Sequence, residues 1–177
     1  MLLVTDARRA TRIDADGRLV RLEAQDRAQW NRTALTEAHD LIVDGLKAGP
    51  PGRYLLQAAI ASLYAEAPSY DQTDWPQILT LYDRLLEVWP SPVVALNRTV
   101  PLAMVAGPQA ALADIEELEQ DGRLSGYHYL PAIKADLLSR LGRTDEASDS
   151  YRQAFTQTAN EAERAFLSEQ IAGHTLI

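Results

Sequence analysis

The sequence lacks cysteine altogether, holds only two lysines, and contains no long apolar run. Without cysteine, the chain cannot form disulfides, thiolate zinc sites or iron–sulfur clusters, and it has no cysteine nucleophile. The apolar residues Leu2 to Val4 are soon followed by Asp6 and Arg8, so the opening segment does not predict a signal peptide. No stretch of about 18 apolar residues predicts a membrane-spanning helix.

The charge is negative and unevenly distributed. The 177 residues carry 25 acidic and 17 basic side chains, for a net charge of -8. Because polyanionic nucleic acid is held by clustered basic groups, this balance argues against DNA as a direct partner. Residues 1–60 hold 9 basic and 8 acidic side chains, whereas 61–177 hold 8 and 17. The acidity therefore belongs to the later part of the chain.

No motif predicts catalytic chemistry, a metal site or a bound cofactor. The histidines His39, His128 and His174 fall on separate predicted helices and show no metal-ligand spacing. Neither a Gly-x-Ser-x-Gly elbow nor a Walker-type loop occurs. An acidic run at 116–121 could hold a cation or a basic peptide, but on a helix such a run is usually a solvated face. We predict that the chain is not an enzyme.

Proline and glycine recur along the chain and separate runs of roughly 12 to 18 residues with helical spacing of apolar side chains. The runs predict helices over 31–47, from Tyr54 to before Pro68, over 75–89, 93–106 and 108–119, joined as hairpins. Asn31 and Asp74 are predicted N-caps, since their side chains can accept hydrogen bonds from first-turn amides. Pro101 has no amide hydrogen, so we expect it to bend or locally break its helix.

The last third of the chain carries the clearest periodic signal. Small residues recur on either side of a glycine, with one aromatic residue among them, and the pattern resembles the tetratricopeptide repeat. The residues of this signature are Ala135, Gly142, Ala147, Tyr151 and Ala154. Tyr82 precedes Tyr151 by 69 residues, close to twice the repeat period of about 34. We interpret the chain as about three degenerate repeats followed by a capping helix over 160–172.

The predicted fold is all-α. We expect a tetratricopeptide-like array of helical hairpins, about eight helices in a right-handed superhelix, with a short extended or hairpin segment at its N-terminus. An irregular helical bundle with alanine-rich contacts is the alternative. Residues 11–22 break the helical pattern, and Gly17 suits a tight turn there. The expected organisation is an N-terminal connecting segment, 1–30, and a helical domain, 31–177.

A concave groove in such an array would be lined by the first helix of each hairpin. Polar side chains on these helices could orient a bound peptide, although helix capping or hydrogen bonds between repeats would also account for them. The candidate partner-binding residues are Gln57, Asn97, Arg98 and Lys134. A second hypothesis is a small-molecule or peptide sensor, because tryptophan and tyrosine side chains could line a ligand pocket.

Several short blocks, taken together and in order along nearly the whole chain, resemble one family. They are Asp6 to Arg9, Asp16 to Val20, Gln25 to Arg27 with Trp30, Gln57 to Ala61, Thr73 to Trp75 with Ile78, Leu81 and Tyr82, Ser91 to Val94, Leu96 to Arg98, Asp136 to Leu138, Leu141 to Arg143, and Asn160 with Glu163, Arg164, Phe166 and Leu167. The family is that of bacterial extracytoplasmic-function sigma factors that carry a tetratricopeptide-like C-terminal extension.

The resemblance implies a regulatory domain that acts through protein contacts and has no catalytic residues. Its partners would be the sigma factor's own promoter-reading domains, RNA polymerase or a signalling protein. DNA would be reached only through those promoter-reading domains, which would precede residue 1 of a longer protein. The resemblance also implies a cytoplasmic location and no membrane partner.

Overall fold

The structure, a computed structural model, describes residues 1–15 and 17–175. These residues contain no β-strand and are mostly helical, so the all-α prediction is confirmed. The helices are α1 (Leu2–Ala7), α2 (Arg32–Ala48), α3 (Arg53–Glu66), α4 (Trp75–Val88), α5 (Pro92–Ala106), α6 (Pro108–Asp121), α7 (Tyr129–Arg140), α8 (Thr144–Gln157) and α9 (Glu161–Thr175). The right-handed superhelix stays a prediction.

The chain folds into two compact units, Met1–Pro90 and Ser91–Ile177. In the first unit, α1 packs against α2 and α3, and α3 also contacts α4. In the second unit, successive helices from α5 to α9 pack against one another, and α5 also contacts α7. The boundary between these units differs from the sequence-based division into 1–30 and 31–177, which stays a prediction.

The predicted N-caps of the first unit are present. The Asn31 Oδ1 accepts a hydrogen bond from the Ala34 amide at 3.1 Å, and the Asp74 Oδ1 accepts one from the Gln77 amide at 3.0 Å. Each cap satisfies an amide that has no partner within its helix. Helices α2 and α4 therefore begin where the sequence predicts.

Residues 12–15 and 17–20 belong to the short turn that the sequence predicts between α1 and α2. Ile13 and Leu19 make an isolated antiparallel bridge, and the Val20 amide donates to the Arg12 carbonyl at 2.9 Å. Gly17 takes a φ of 78°, a left-handed conformation that glycine adopts without strain. Asp16, the other residue of the predicted turn, lies outside the described residues.

In the second unit, the α7–α8 hairpin has the predicted small-residue contact. Ala135, Ala147 and Ala154 are each fully buried, and Tyr151 is 3% exposed. Small side chains allow the helix axes to approach closely. Gly142 joins the two helices with a φ of 74°, and its amide donates to the Ser139 carbonyl at 3.0 Å. The corresponding aromatic residue in the first unit, Tyr82, is half-buried on α4.

Pro101 does not break its helix, because α5 continues through it from Pro92 to Ala106, and the alternative expectation that it bends the helix stays a prediction. A proline inside a helix costs about 3 kcal/mol through the missing hydrogen bond and a clash with the preceding turn. Pro101 is fully buried on the same helix as Leu96 and Ala103, which belong to the core of the second unit. Packing of this apolar side of α5 offsets the local cost.

The predicted capping helix is present as α9. The Asn160 Oδ1 accepts hydrogen bonds from the amides of Ala162 and Glu163 at 3.0 and 3.2 Å. Leu167 of α9 is buried in a cluster with Ala135, Tyr151 and Ala154. Helix α9 thus covers the apolar side of the α7–α8 hairpin.

Candidate interaction surfaces

Two of the four predicted groove residues form ion pairs within the second unit. Arg98 on α5 places Nη1 2.9 Å from Asp114 Oδ2, and Lys134 on α7 places Nζ 2.7 Å from Glu119 Oε2. Both acidic partners lie on α6, so the two cations connect α6 to its neighbours on either side. All four side chains keep between 24% and 39% of their surface exposed.

The other two candidates have different surroundings. Asn97 is exposed on α5 beside Arg98, whereas Gln57 is half-buried on α3 in the first unit. The structure therefore brings Asn97, Arg98 and Lys134 into one unit, on α5 and α7, and places Gln57 in the other. The binding role of all four residues stays a prediction.

The acidic run over 116–121 is partly neutralised. Besides the Glu119–Lys134 pair, Asp121 accepts hydrogen bonds from Arg123 Nε and Nη2 at 2.6 and 2.7 Å. These hydrogen bonds lower the pKa of Asp121. Across residues 1–15 and 17–175, no group of three His, Asp or Glu side chains is arranged to hold a metal ion.

The segment between α1 and α2, which we call the N-terminal arm, packs on Trp30, a residue of the arm that is 3% exposed. The guanidinium carbons of Arg8 and Arg27 lie 5.0 and 4.7 Å from its ring centroid. Its indole Nε1 donates to Thr11 Oγ1 at 2.8 Å. The Arg8 Nη2 also donates to Gln25 Oε1 at 3.1 Å, so the segment between α1 and α2 is held by several polar contacts.

Arg27 connects this arm to the end of α3. Its Nη1 donates to the backbone carbonyls of Tyr64 and Ala67 at 2.7 and 2.8 Å. Carbonyls in the last turn of a helix lack partners within that helix, so this guanidinium acts as a C-terminal cap. Burial, with a smaller contribution from the charge of Arg32, lowers the pKa of Arg27.

His39 and Glu66 form an ion pair between α2 and α3. The His39 Nδ1 lies 2.9 Å from Glu66 Oε1, which also accepts a hydrogen bond from Ser62 Oγ. The hydrogen bond to Glu66 is the main cause that raises the pKa of His39, and the charge of Glu66 adds to it. The pair is exposed, with 50% and 39% of the two side chains accessible.

His128 and Glu163 form a second pair, between the start of α7 and α9. The His128 Nε2 lies 3.0 Å from Glu163 Oε2 without hydrogen-bond alignment, while Tyr129 Oη donates to Glu163 Oε1 at 2.8 Å. Thr158 Oγ1 also donates to Glu163. Burial pushes the pKa of Glu163 upward, but these hydrogen bonds and the charge of His128 outweigh it, so the pKa is lowered.

An aromatic cluster lies in the first unit, but it is packed ring against ring. Trp75 meets Tyr64 and Tyr70 edge-on, with centroids 5.6 and 4.9 Å apart. Burial is the largest cause that raises the pKa values of Tyr64 and Tyr82, the latter to about 12. The cluster therefore has the geometry of a packed core.

Three surface grooves have volumes of about 290, 250 and 520 Å³. The first lies between α2 and α3 beside His39 and Glu66, the second beside the α6–α7 loop, and the third along α1 and Arg12. None of these three is lined by a tryptophan or a tyrosine. The hypothesis of an aromatic ligand pocket gains no support from them.

Sequence reasoning missed the polar contacts that connect distant segments. Glu66 lies 27 residues after His39, and the Ala67 carbonyl lies 40 residues after Arg27. Separations of this size have no periodic signature within a helix or between neighbouring repeats. One available signal was Arg27, which lies close to Trp30 in the sequence, since the tryptophan ring offers a face for cation–π contacts.

Comparison with known proteins gives two matches. Residues 1–45 match a family of unknown function, DUF6596. Over 171 residues, the chain is 43% identical to an uncharacterized protein of Rhizobium meliloti (strain 1021). That match covers 97% of this chain and 40% of the relative, so the chain spans less than half of the relative's length.

Among the described residues, none of the helices combines the length and the apolar character that a membrane-spanning segment needs.

Proposed function

We propose that this chain is a non-catalytic regulatory region of an extracytoplasmic-function sigma factor and modulates transcription initiation through protein contacts. The observation that carries the proposal is the ordered set of sequence blocks that resemble this family. Many residues of those blocks are structural anchors: Arg27 and Trp30 fix the N-terminal arm, Leu96 and Leu138 lie in the core, and Asn160 caps α9.

The architecture also suits such a role. Antiparallel helical hairpins closed by a capping helix expose polar side chains on a rigid scaffold, which is a common design for protein recognition. The Rhizobium relative continues well beyond the region matched by this chain, so it has room for other domains. The proposed partners are the sigma factor's own promoter-reading domains, RNA polymerase or a signalling protein, in the cytoplasm.

The test uses the longer protein that contains this region. We expect that a variant lacking these 177 residues shows altered transcription from its own promoter with purified RNA polymerase, or no longer responds to its signal. A matched control keeps the region and changes only Arg84, an exposed residue paired with Glu87. Normal initiation and a normal signal response without the region would refute the proposal.

A further inference from the structure

Arg53 forms a cation–π stack at one end of the first unit. Helices α2 and α4 end there, and α3 begins there. The guanidinium carbon of Arg53 lies 4.7 Å from the ring centroid of Tyr54 and 5.3 Å from that of Trp89. The Arg53 Nη2 also donates to Tyr54 Oη at 2.8 Å. We call Arg53, Tyr54 and Trp89 the Arg53 stack.

Two members of the Arg53 stack are open to solvent. Arg53 and Tyr54 are exposed, Tyr54 to 68%, whereas Trp89 is half-buried. Tyrosine, tryptophan and arginine are the residues most often found at the centre of protein interfaces, where their removal costs the most binding energy. This composition distinguishes the Arg53 stack from single exposed apolar residues elsewhere on the surface.

The charge of Arg53 is not neutralised by a carboxylate in the described part of the chain. The acidic side chains near this end of α2 and α4 are paired with other residues: Asp44 lies 3.7 Å from Lys47 and Glu87 lies 3.0 Å from Arg84. A guanidinium has five N–H donors, and among residues 1–15 and 17–175 Arg53 donates a hydrogen bond to Tyr54 alone. The remaining donors are available to an acidic group from outside.

We propose that the Arg53 stack is a docking site for a protein partner that presents an Asp or Glu carboxylate beside an apolar side chain. The carboxylate would pair with Arg53, while the apolar side chain would cover the exposed ring of Tyr54. Because the two rings already hold the guanidinium in place, little side-chain freedom is lost on binding. The proposal rests on the proposed function, since it names the surface and the partner chemistry of a protein-interaction domain.

Electrostatics favour a single carboxylate over a nucleic acid at this surface. A polyphosphate backbone is bound by several cations in a row, whereas this chain carries a net charge of -8 and only Arg53 contributes a cation to the stack. The cations Lys47 and Arg84 near the same end of the unit are already paired with Asp44 and Glu87, so they do not extend Arg53 into a row of free positive charges. One ion pair flanked by apolar contacts is compatible with that charge.

The test selects random peptides displayed on phage against the folded 177-residue chain and measures the affinity of the selected peptides by fluorescence anisotropy. We expect them to carry Asp or Glu next to apolar residues. Arg53→Gln should weaken their binding about tenfold or more. The matched control, Arg84→Gln, removes an exposed arginine that is already paired and should leave binding within about twofold.

Tyr54→Ala provides a second variant, because its exposed ring contributes little to folding. Binding that is unchanged in both variants, or failure to select any peptide, would overturn the proposal. Binding of a random-sequence DNA duplex that depends on Arg53 would also overturn it and would identify a nucleic-acid contact. Since no transcription is measured, this result is separate from the test of the proposed function.

Discussion

The two compact units of the chain hold their helices together in different ways. In Ser91–Ile177, helices meet through fully buried alanines such as Ala111, Ala135 and Ala147. In Met1–Pro90, the N-terminal arm, which contains only short 3-10 turns and an isolated bridge, is fixed by Trp30 and by the hydrogen bonds of Arg27 to the end of α3. The second unit is stabilised by close contacts between small side chains that recur along its helices. The first unit is stabilised by the contacts of a few individual large side chains.

This difference determines how each unit should respond to mutation. At a contact between alanines, truncation of a side chain removes very few atoms, but a larger side chain does not fit between the helices. A network of contacts centred on one tryptophan is also sensitive to added volume. Its largest loss of stability is expected when the tryptophan side chain is removed, because a cavity is left. The first unit should therefore be sensitive to truncation and the second to enlargement.

The largest effect is expected for Trp30→Ala. Removal of this buried ring should lower the free energy of unfolding by about 3–5 kcal/mol, since it leaves a cavity and removes the platform for Arg8 and Arg27. Urea denaturation gives the loss, and hydrogen exchange should show it more in α2 and α3 than in α7 and α8. An equal loss of protection in both units would contradict the comparison. Trp30→Phe should cost less.

Enlargement in the second unit should have a comparable or smaller effect. Ala147→Leu inserts a branched side chain at a fully buried position of α8, which should cost about 1–3 kcal/mol through overpacking. The matched control is Ala106→Leu at the exposed end of α5, where the change should be within about 0.5 kcal/mol. Similar thermal midpoints for the two variants would show that the α7–α8 contact is looser than described.

A backbone substitution tests the turn between α7 and α8. Gly142 has a φ of 74°, and a Cβ added there would meet no atom within 4 Å. Gly142→Ala should therefore cost about 1–2 kcal/mol through left-handed strain alone. Gly173→Ala serves as control, since that glycine is helical with open space around it, and it should be neutral or stabilising. Circular dichroism melts give both values.

The ion pairs of the second unit should contribute less. A double-mutant cycle on Arg98→Ala and Asp114→Ala should give a coupling energy of about 0.2–1 kcal/mol, because both side chains are partly exposed. The coupling should fall when salt is added. A coupling above this range would place Arg98 among the main stabilising contacts, alongside Arg27.

The smallest effect concerns pH in the first unit. Glu66 raises the pKa of His39 above its ordinary 6.5, so the stabilising pair is fully present below 6.5 and is lost as pH rises through the higher folded pKa. Solvent screening should limit the loss to a few tenths of a kcal/mol. The pH dependence of the urea midpoint checks this. His39→Gln should remove the slope in that window, and a slope that persists would assign it to another group.

The helical hairpins of the second unit could be predicted from the sequence because their signals are local. Gly142 and the buried alanines recur at spacings that belong to one helix or to neighbouring helices. The continuation of α5 through Pro101 could not be predicted in this way, since the local rule gives the cost of a proline but does not include the burial of the surrounding side of α5. Tertiary packing decided that case.

The contacts that fix the first unit could not be predicted in the same way. Arg27 and His39 meet partners that lie far along the chain, and no spacing within a helix relates them. The partners of surface residues could not be predicted from local spacing either. Arg98 and Lys134 were expected to face a groove, yet their ion pairs depend on which residues of α6 they meet in three dimensions.

The hydrogen bonds of Arg27 bear on where a folding boundary can lie. The matched family region ends at residue 45, but the carbonyl acceptors of Arg27 belong to Tyr64 and Ala67. A polypeptide cut after residue 45 would keep the buried guanidinium without its acceptors and would lose α3, the helix against which α1 and α2 pack. The region matched by that family, residues 1–45, is thus shorter than the set of residues that holds α1 and α2 in place.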